Sequence, residues 1–252
     1  MSKAILTKGS QTVIGMVHCL PLPGTCGFDG DYRKIIDQAV QDAQTLEKAG
    51  VDAVIVENMG DTPFSALLDK AQVAALAAAA AAVREAVKIP IGIDAAFNDC
   101  EASLAIAGIC RADFIRVPVF VDTVLFSDGI IYPCAKKCME YRKAMGLSHV
   151  KILADVQQIT VEMSAKDAAS NGADAIIVTG AVIGAETPID MLKRVQKVVN
   201  IPVLAGSGVN RGNIHEQLQI ADGCIIGSSL KKGGVLTNPI DYDLVREVME
   251  AP

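Results

Sequence analysis

The chain has 252 residues, of which 51% are apolar, 21% charged and 4% aromatic, with no Trp. Such a chain can bury a sizeable core, which excludes disorder, and a net charge of −6 from 29 acidic and 23 basic side chains leaves no general basic field for nucleic acid. The length admits one large domain or two small ones, and about 250 residues is the usual size of an eight-fold β/α barrel.

Residues 1–6 are too short and too mixed to read as a secretion signal. The first strand is predicted over 13–17 and ends at His18. Tyr32 to Ala49 then carries Ile35, Ala39, Ala43 and Leu46 on one helical stripe and stops at Gly50. The second strand, 51–56, runs into Glu57, Asn58, Gly60 and Asp61. An Ala-rich helix over 71–87 follows; its most apolar run is too short to span a membrane, and its composition reflects helix propensity. The third strand, 89–93, leads to Asp94, and the fourth, 112–117, contains Arg116. Gly146 closes a helix before the fifth strand, 150–154, which leads to Asp155, and Gly172 closes another before the sixth, 173–178, which leads to Thr179 and Gly180. Thr187 and Pro188 read as N-cap and first residue of the next helix. The seventh strand, 201–205, ends on Gly206-Ser207-Gly208 with a helix start near Asn210. The eighth, 221–226, ends on Gly227-Ser228-Ser229, and a last helix covers 241–249.

A repeat underlies this list. Four strands start with a small or apolar residue and an Asp (Asp52, Asp113, Asp174, Asp222) before a short apolar run, and the strands between them start near Ile89, Val150 and Ile201, two with Ile-Pro. Near-continuous β-branched runs fit strands buried on both faces, and Pro is allowed at a strand's first residue. Eight strands alternating with helices give a single parallel (β/α)8 barrel of the phosphate-binding type over residues 1–252.

In that fold the chemistry sits at the C-terminal strand ends. Aligned on the shared Asp, the inward positions are Ala53, Ile55 and Glu57, then Phe114, Arg116 and Pro118, then Ala175, Ile177 and Thr179, then Gly223, Ile225 and Gly227. The four repeated Asp residues fall at the opposite end and read as turns or caps. Glu57, Asp94, Asp155, Arg116 and His18 converge on one mouth as catalytic candidates, with Arg116 paired to Glu57 because an isolated buried charge is costly. Glycines and serines at 206–208 and 227–229, with Thr179 and Gly180 beside them, form a phosphate cradle. Asn58 and Asn98 are further binding candidates.

No Lys stands at an upper strand end, since Lys151 is at a lower start and Lys231 and Lys232 lie beyond the cradle, so Schiff-base chemistry is disfavoured. His149 and His215 read as surface residues. Glu57, Asp94, Asp155 and His18 have donor types that suit a divalent cation, without a spacing that demands one. The seven cysteines are scattered through apolar segments and read as reduced, cytoplasmic thiols; Cys134 and Cys138 share a helix face but lack a second ligand pair. The residues are compatible with a homo-oligomer.

The strand ends and their loops, Ile14-Gly15-Met16-Val17-His18, Val56-Glu57-Asn58 with Gly60-Asp61-Thr62-Pro63-Phe64, Phe114-Ile115-Arg116-Val117, Ala154-Asp155-Val156, Val178-Thr179-Gly180 and Gly206-Ser207-Gly208-Val209, together resemble the BtpA family over nearly the whole chain. The resemblance implies a barrel of the ribulose-phosphate-binding group. It also implies one of two roles, because the family's namesake is a factor for stable accumulation of photosystem I, while members in bacteria without photosynthesis, some beside sugar-transport genes, point to small-molecule chemistry. Within the resemblance, this chain has Asp94 where Asn is common, Gln157-Gln158-Ile159-Thr160 where a His/Lys-bearing stretch is common, and Asp122-Thr123 in place of a glycine-containing turn.

Two functions follow as expectations. One is an enzyme acting on a small phosphorylated sugar or related metabolite by acid–base isomerisation or C–C or C–N cleavage. The other is an assembly or stability factor that acts through its surface, as in photosystem I biogenesis.

Overall fold

The computed structural model describes residues 6–156, 161–180 and 184–251; residues 1–5 and the departure at Gln157-Gln158-Ile159-Thr160 lie outside them. Eight parallel strands close a barrel: β1 (Thr12–His18), β2 (Ala53–Glu57), β3 (Ile91–Asp94), β4 (Phe114–Val117), β7 (Lys151–Val156), β8 (Ala175–Val178), β9 (Val203–Ala205) and β10 (Gly223–Ile226). Each follows its neighbour around the ring in chain order, and β10 returns to pair with β1. Between β4 and β7 the chain inserts an antiparallel hairpin, β5 (Val124–Phe126) and β6 (Gly129–Ile131), that the strand repeat does not contain. Helices α1 (Tyr32–Ala49), α2 (Lys70–Ala86), α3 (Cys100–Cys110), α4 (Ala135–Ala144), α5 (Val161–Ser170), α6 (Ile189–Gln196), α7 (Ile214–Ile220) and α8 (Tyr242–Met249) alternate with the strands. Among the described residues no helix is long and apolar enough to cross a membrane.

The repeated Asp residues explain how the strands are held in register. Asp52 accepts the N–H of Val13 (2.8 Å), Asp113 that of Ile91 (3.0 Å), Asp174 that of Ile152 (2.9 Å) and Asp222 that of Val203 (2.9 Å). In each case the Asp main-chain N–H donates to the carbonyl of that same residue, at 2.8–2.9 Å. Every second strand thus clasps the first residues of the strand before it, where a ladder would otherwise leave a donor unpaired. The sequence position at the barrel bottom is therefore structural, as expected.

Helix ends follow the same local chemistry. Asp31 caps α1 by accepting from Arg33 and Lys34, and Gly50 ends it with a φ of 100° that a side chain would resist. Asp69 and Gln72 form a capping box on α2. Buried on α1, Asp42 accepts the Ile240 N–H at 2.8 Å and pairs with the fully buried Lys231 at 3.4 Å, which ties the segment after β10 to the first helix. Lys231 is thereby spent on structure.

Two apolar layers result. One lies between the strands and the helices; the other, Ile14, Met16, Ala53, Ile55, Phe114, Leu153, Ala175, Ile177, Leu204 and Ile225 with Leu6 below, fills the barrel interior. The inward register expected from the repeat matches this second layer at Ala53, Ile55, Phe114, Ala175, Ile177 and Ile225. Phe114 takes the space that Gly92 leaves: a Cβ on Gly92 would lie 2.1 Å from its ring. Above this filled interior the same strands continue, and their next inward residues form the mouth.

Candidate active site

The mouth holds a cavity of about 620 Å³. His18 pairs with Glu57 and Glu57 with Asp94 across the β1, β2 and β3 ladder, so three strands end at one height with three polar side chains. His18 Nε2 lies 3.3 Å from Glu57 Oε2. Arg116 reaches up from β4 and grips Asp155 of β7 with two bonds, Nε to Oδ1 at 3.0 Å and Nη2 to Oδ2 at 2.8 Å. Its Nε is 3.8 Å from Asp94 Oδ2, so it faces Asp94 as a charge without a hydrogen bond. The partner expected for Arg116 was Glu57; the fork instead meets Asp155, which stands two residues beyond Leu153, the ladder partner of Arg116 on the neighbouring strand.

Burial and neighbours push these carboxyls apart. Burial works to raise Glu57, but the hydrogen bond and charge of His18 and the charge of Arg116 outweigh it, so Glu57 sits below the usual carboxylate range. Asp94 is held well above that range by burial and by the Glu57 and Asp155 carboxylates, which Arg116 offsets in part. Burial also leaves Asp155 raised in spite of Arg116. Apart from the Glu57 carboxyl, with which it can share a proton, Asp94 has no hydrogen-bond partner among the described residues, and His18 Nδ1 has none there either. A carboxyl that holds its proton more tightly than usual beside one that holds it less tightly suits an acid–base pair.

The loops after β8, β9 and β10 form the opposite wall, where Thr179, Gly180, Gly206, Ser207, Gly208, Gly227, Ser228 and Ser229 all line the cavity. Gly208 has a φ of 65°, and a Cβ there would meet the Glu186 backbone at 2.3 Å. Ser207 does not present a free hydroxyl: its Oγ accepts the Gly180 N–H at 2.7 Å and donates to the Ala185 carbonyl at 2.6 Å. Ser229 likewise donates to the Val209 carbonyl at 2.7 Å. Both serines build the loops, while the Ser228 hydroxyl and the N–H groups of Gly208, Val209, Ser228 and Ser229 make no bond to other described residues. Thr187 is not a helix cap; its Oγ1 donates to the Val178 carbonyl at 2.9 Å, and α6 starts after Pro188 without a side-chain cap.

Asn58 and Asn98 stand outside the cavity lining. Asn58 bonds both the N–H (2.7 Å) and the carbonyl (2.8 Å) of Ala96, and Asn98 does the same with Val119, at 2.9 and 3.0 Å. Each amide has the donor and acceptor needed to mimic a strand neighbour, and each is consumed in joining adjacent loops. The cation expectation meets a different obstacle. Among the described residues no group of three or more His, Cys, Asp or Glu is arranged to hold a metal ion, and Arg116 occupies the centre of the carboxylates and supplies the positive charge there.

Phe64, Phe97 and Phe126 also line the cavity, with Met59, Val124 and Leu236. None of these belongs to the eight-strand repeat: Val124 and Phe126 lie in β5 of the inserted hairpin and the others in loops. Ser127-Asp128-Gly129 between two apolar runs was the available signal for the hairpin that carries Phe126: the ladder pairs Phe126 with Gly129, so Ser127 and Asp128 make the turn and Gly129 follows it with a φ of 111°.

The chain is 40% identical to an uncharacterized protein of Pyrococcus abyssi over 242 residues, 93% of each chain. It is 35% identical to the photosystem I biogenesis protein BtpA of Synechocystis, over 95% of this chain and 87% of that one. Among solved structures it superposes on (S)-3-O-geranylgeranylglyceryl phosphate synthase of Thermoplasma acidophilum with a TM-score of 0.63 at 16% identity, covering 96% and 92% of the two chains. At that identity the likeness speaks for the barrel alone. The profile of the BtpA family matches residues 9–252, which includes every strand of the barrel and both walls of its mouth, and the chain belongs to that family.

Proposed function

We propose that the chain is an enzyme that holds a small phosphorylated metabolite across the mouth and moves a proton on it. The observation that carries this reading is Asp94, buried on the floor with its pKa pushed up, with the Glu57 carboxyl, held below its usual range, alongside and no other hydrogen-bond partner among the described residues. A structural carboxylate would be bonded; this one is left available to a ligand. In this reading the N–H groups of Gly208, Val209, Ser228 and Ser229 and the Ser228 hydroxyl hold the phosphate. Asp94 gives a proton to a carbonyl or hydroxyl oxygen, Glu57 takes one from carbon or oxygen, and Arg116 stabilises the developing negative charge. Isomerisation and C–C or C–N cleavage all use these parts.

Calorimetric titration with inorganic phosphate and with phosphate monoesters tests the anchor. Millimolar or tighter binding that Gly208→Ala abolishes supports the reading. Absence of binding by every phosphate compound would remove its basis.

A second reading is an assembly factor, as the name of the Synechocystis relative indicates for that protein. It is favoured by the hairpin's outer face, where Leu125 and Ile130 pair across the strands and are 83% and 56% exposed. A double variant, Glu57→Gln with Asp155→Asn, separates the two: it ends catalysis and leaves a surface-mediated role intact.

A further inference from the structure

The floor and the phosphate wall leave a third surface of the cavity without a task. Phe64 on the loop after β2, Phe97 on the loop after β3 and Phe126 on the hairpin after β4 are each half-buried and line the same space. They are three of the chain's six Phe residues, brought together from three separate loops. Phe97 and Phe126 stack on each other with ring centroids 4.0 Å apart and planes 17° apart, so two of these rings are held as one aromatic unit. Ring surface facing an open cavity gains from an apolar, flat partner and gains nothing from hydroxyl groups.

The strand order sets where this wall stands. β2, β3 and β4 are neighbours on one side of the ring, and β8, β9 and β10 are neighbours on the other, with β1 and β7 between them. The aromatic wall therefore faces the phosphate wall across a floor of carboxylates. A cavity of about 620 Å³ lies well within the range of small-molecule sites, roughly 300–1,000 Å³, and far exceeds what a lone phosphate would fill.

On the reading that the loops after β9 and β10 hold a phosphate, we propose that the ligand is a phosphate monoester with a flat ring at its other end and hydroxyl-bearing carbons between, the chemical class of a nucleoside monophosphate or another ring-bearing glycosyl phosphate. Each part meets its complement in order across the mouth: phosphate on the N–H groups, hydroxyls donating to Glu57 and Asp155, ring against Phe97 and Phe126. An open-chain or unsubstituted sugar phosphate satisfies the first two surfaces and leaves the third in water.

Isothermal titration with inorganic phosphate, ribose 5-phosphate, uridine, and uridine and adenosine 5′-monophosphates tests this. The nucleotides are expected to bind on the order of tenfold or more tightly than ribose 5-phosphate, the size of one base–aromatic stack. Phe97→Leu and Phe126→Leu should each reduce that advantage and leave ribose 5-phosphate affinity unchanged; Phe64→Leu, on an independent loop, supplies the same comparison if either variant fails to fold. Equal affinity for ringed and ringless phosphates, both displaced by inorganic phosphate, overturns this inference and leaves the proposed function standing. Uridine binding as tightly as its monophosphate, with no binding of inorganic phosphate, overturns the phosphate reading and this inference with it.

Discussion

Arg116 and Asp155 are joined by two parallel hydrogen bonds of 3.0 and 2.8 Å on a floor that also contains Glu57 and Asp94. The guanidinium is the shared counter-charge of three buried carboxyls. Replacing it with Met is expected to cost about 3–5 kcal/mol at pH 7, because it leaves buried charge uncompensated. Arg116→Lys keeps the charge and loses the fork, and so should recover only part of that. Urea unfolding at pH 7 and pH 4 measures both: the penalty should shrink at the lower pH, where the carboxyls take up protons. A penalty independent of pH would mean that lost packing, not charge, is responsible.

Asp94 is the floor carboxyl pushed furthest up, and its sign of linkage is opposite to that of a salt-bridged carboxylate. Its pKa is raised by burial and by Glu57 and Asp155, so the folded state holds the proton more tightly than the unfolded chain does. That contribution is complete below the unfolded value of about 3.9 and is lost as pH rises through the raised folded value. Asp94→Asn removes the group with little change of shape. The variant should therefore be more stable than the parent at pH 8, by about 1 kcal/mol or more, with the gap closing toward pH 4. Thermal unfolding across this range is the measurement, and a gap that is flat or reversed would show that Asp94 is not strained. Loss of turnover alongside the gain in stability would mark it as a group retained for chemistry.

Gly92 and Phe114 fill one volume between them, with a Cβ on Gly92 placed 2.1 Å from the Phe114 ring. Gly92→Ala forces an overpacked interior and is expected to cost about 1–3 kcal/mol. Phe114→Leu alone opens a cavity. Combined, the two substitutions relieve each other, so the double variant should lose less than the sum of the singles by at least about 0.5 kcal/mol. Denaturant midpoints of the four proteins test this, and strict additivity would show that the ring moves aside without cost.

That pair also shows how far the residues can be read in advance. Parallel strands alternate in and out, so a repeat of apolar runs places Ala53, Ile55, Phe114, Ala175 and Ile177 in the interior, and the next inward step brings His18, Glu57, Asp94, Arg116 and Asp155 to the mouth. The alternation does not say which side chain meets which. Gly92 needs Phe114, and Arg116 selects Asp155 over Glu57, through distances that depend on the stagger between strands. Loop polarity is still less legible. Asn58, Asn98, Ser207 and Ser229 have the chemistry of ligand contacts, but their partners are main-chain groups of Ala96, Val119, Gly180, Ala185 and Val209, on loops brought close by the pairing of neighbouring strands. The aromatic wall comes from three loops with no periodicity to mark it.

Asp222 is more heavily engaged than Asp113 or Asp174. Besides the Val203 N–H it accepts the Gly9 N–H at 2.6 Å and the Gln196 side-chain amide at 2.9 Å, with Lys8 at 3.5 Å. Gly9 leads into β1, so this carboxylate clasps β9 and also the segment entering the strand that closes the ring against β10. Burial works to raise its pKa, but the Gly9 and Val203 N–H groups, Gln196 and Lys8 outweigh it, and the carboxyl sits below its usual range. A lowered folded pKa contributes stability that is present above the unfolded value and is lost as pH falls through the folded one. Asp222→Ala strips several donors at once and should cost about 2–4 kcal/mol at pH 7, against roughly 1 kcal/mol for Asp113→Ala at the β3–β4 clasp. Part of the Asp222 penalty should vanish as pH falls through the lowered folded value, where the parent carboxyl is protonated as well. Urea unfolding of both variants decides the matter: equal penalties would show that the closing seam between β10 and β1 bears no more load than any other clasp in the ring.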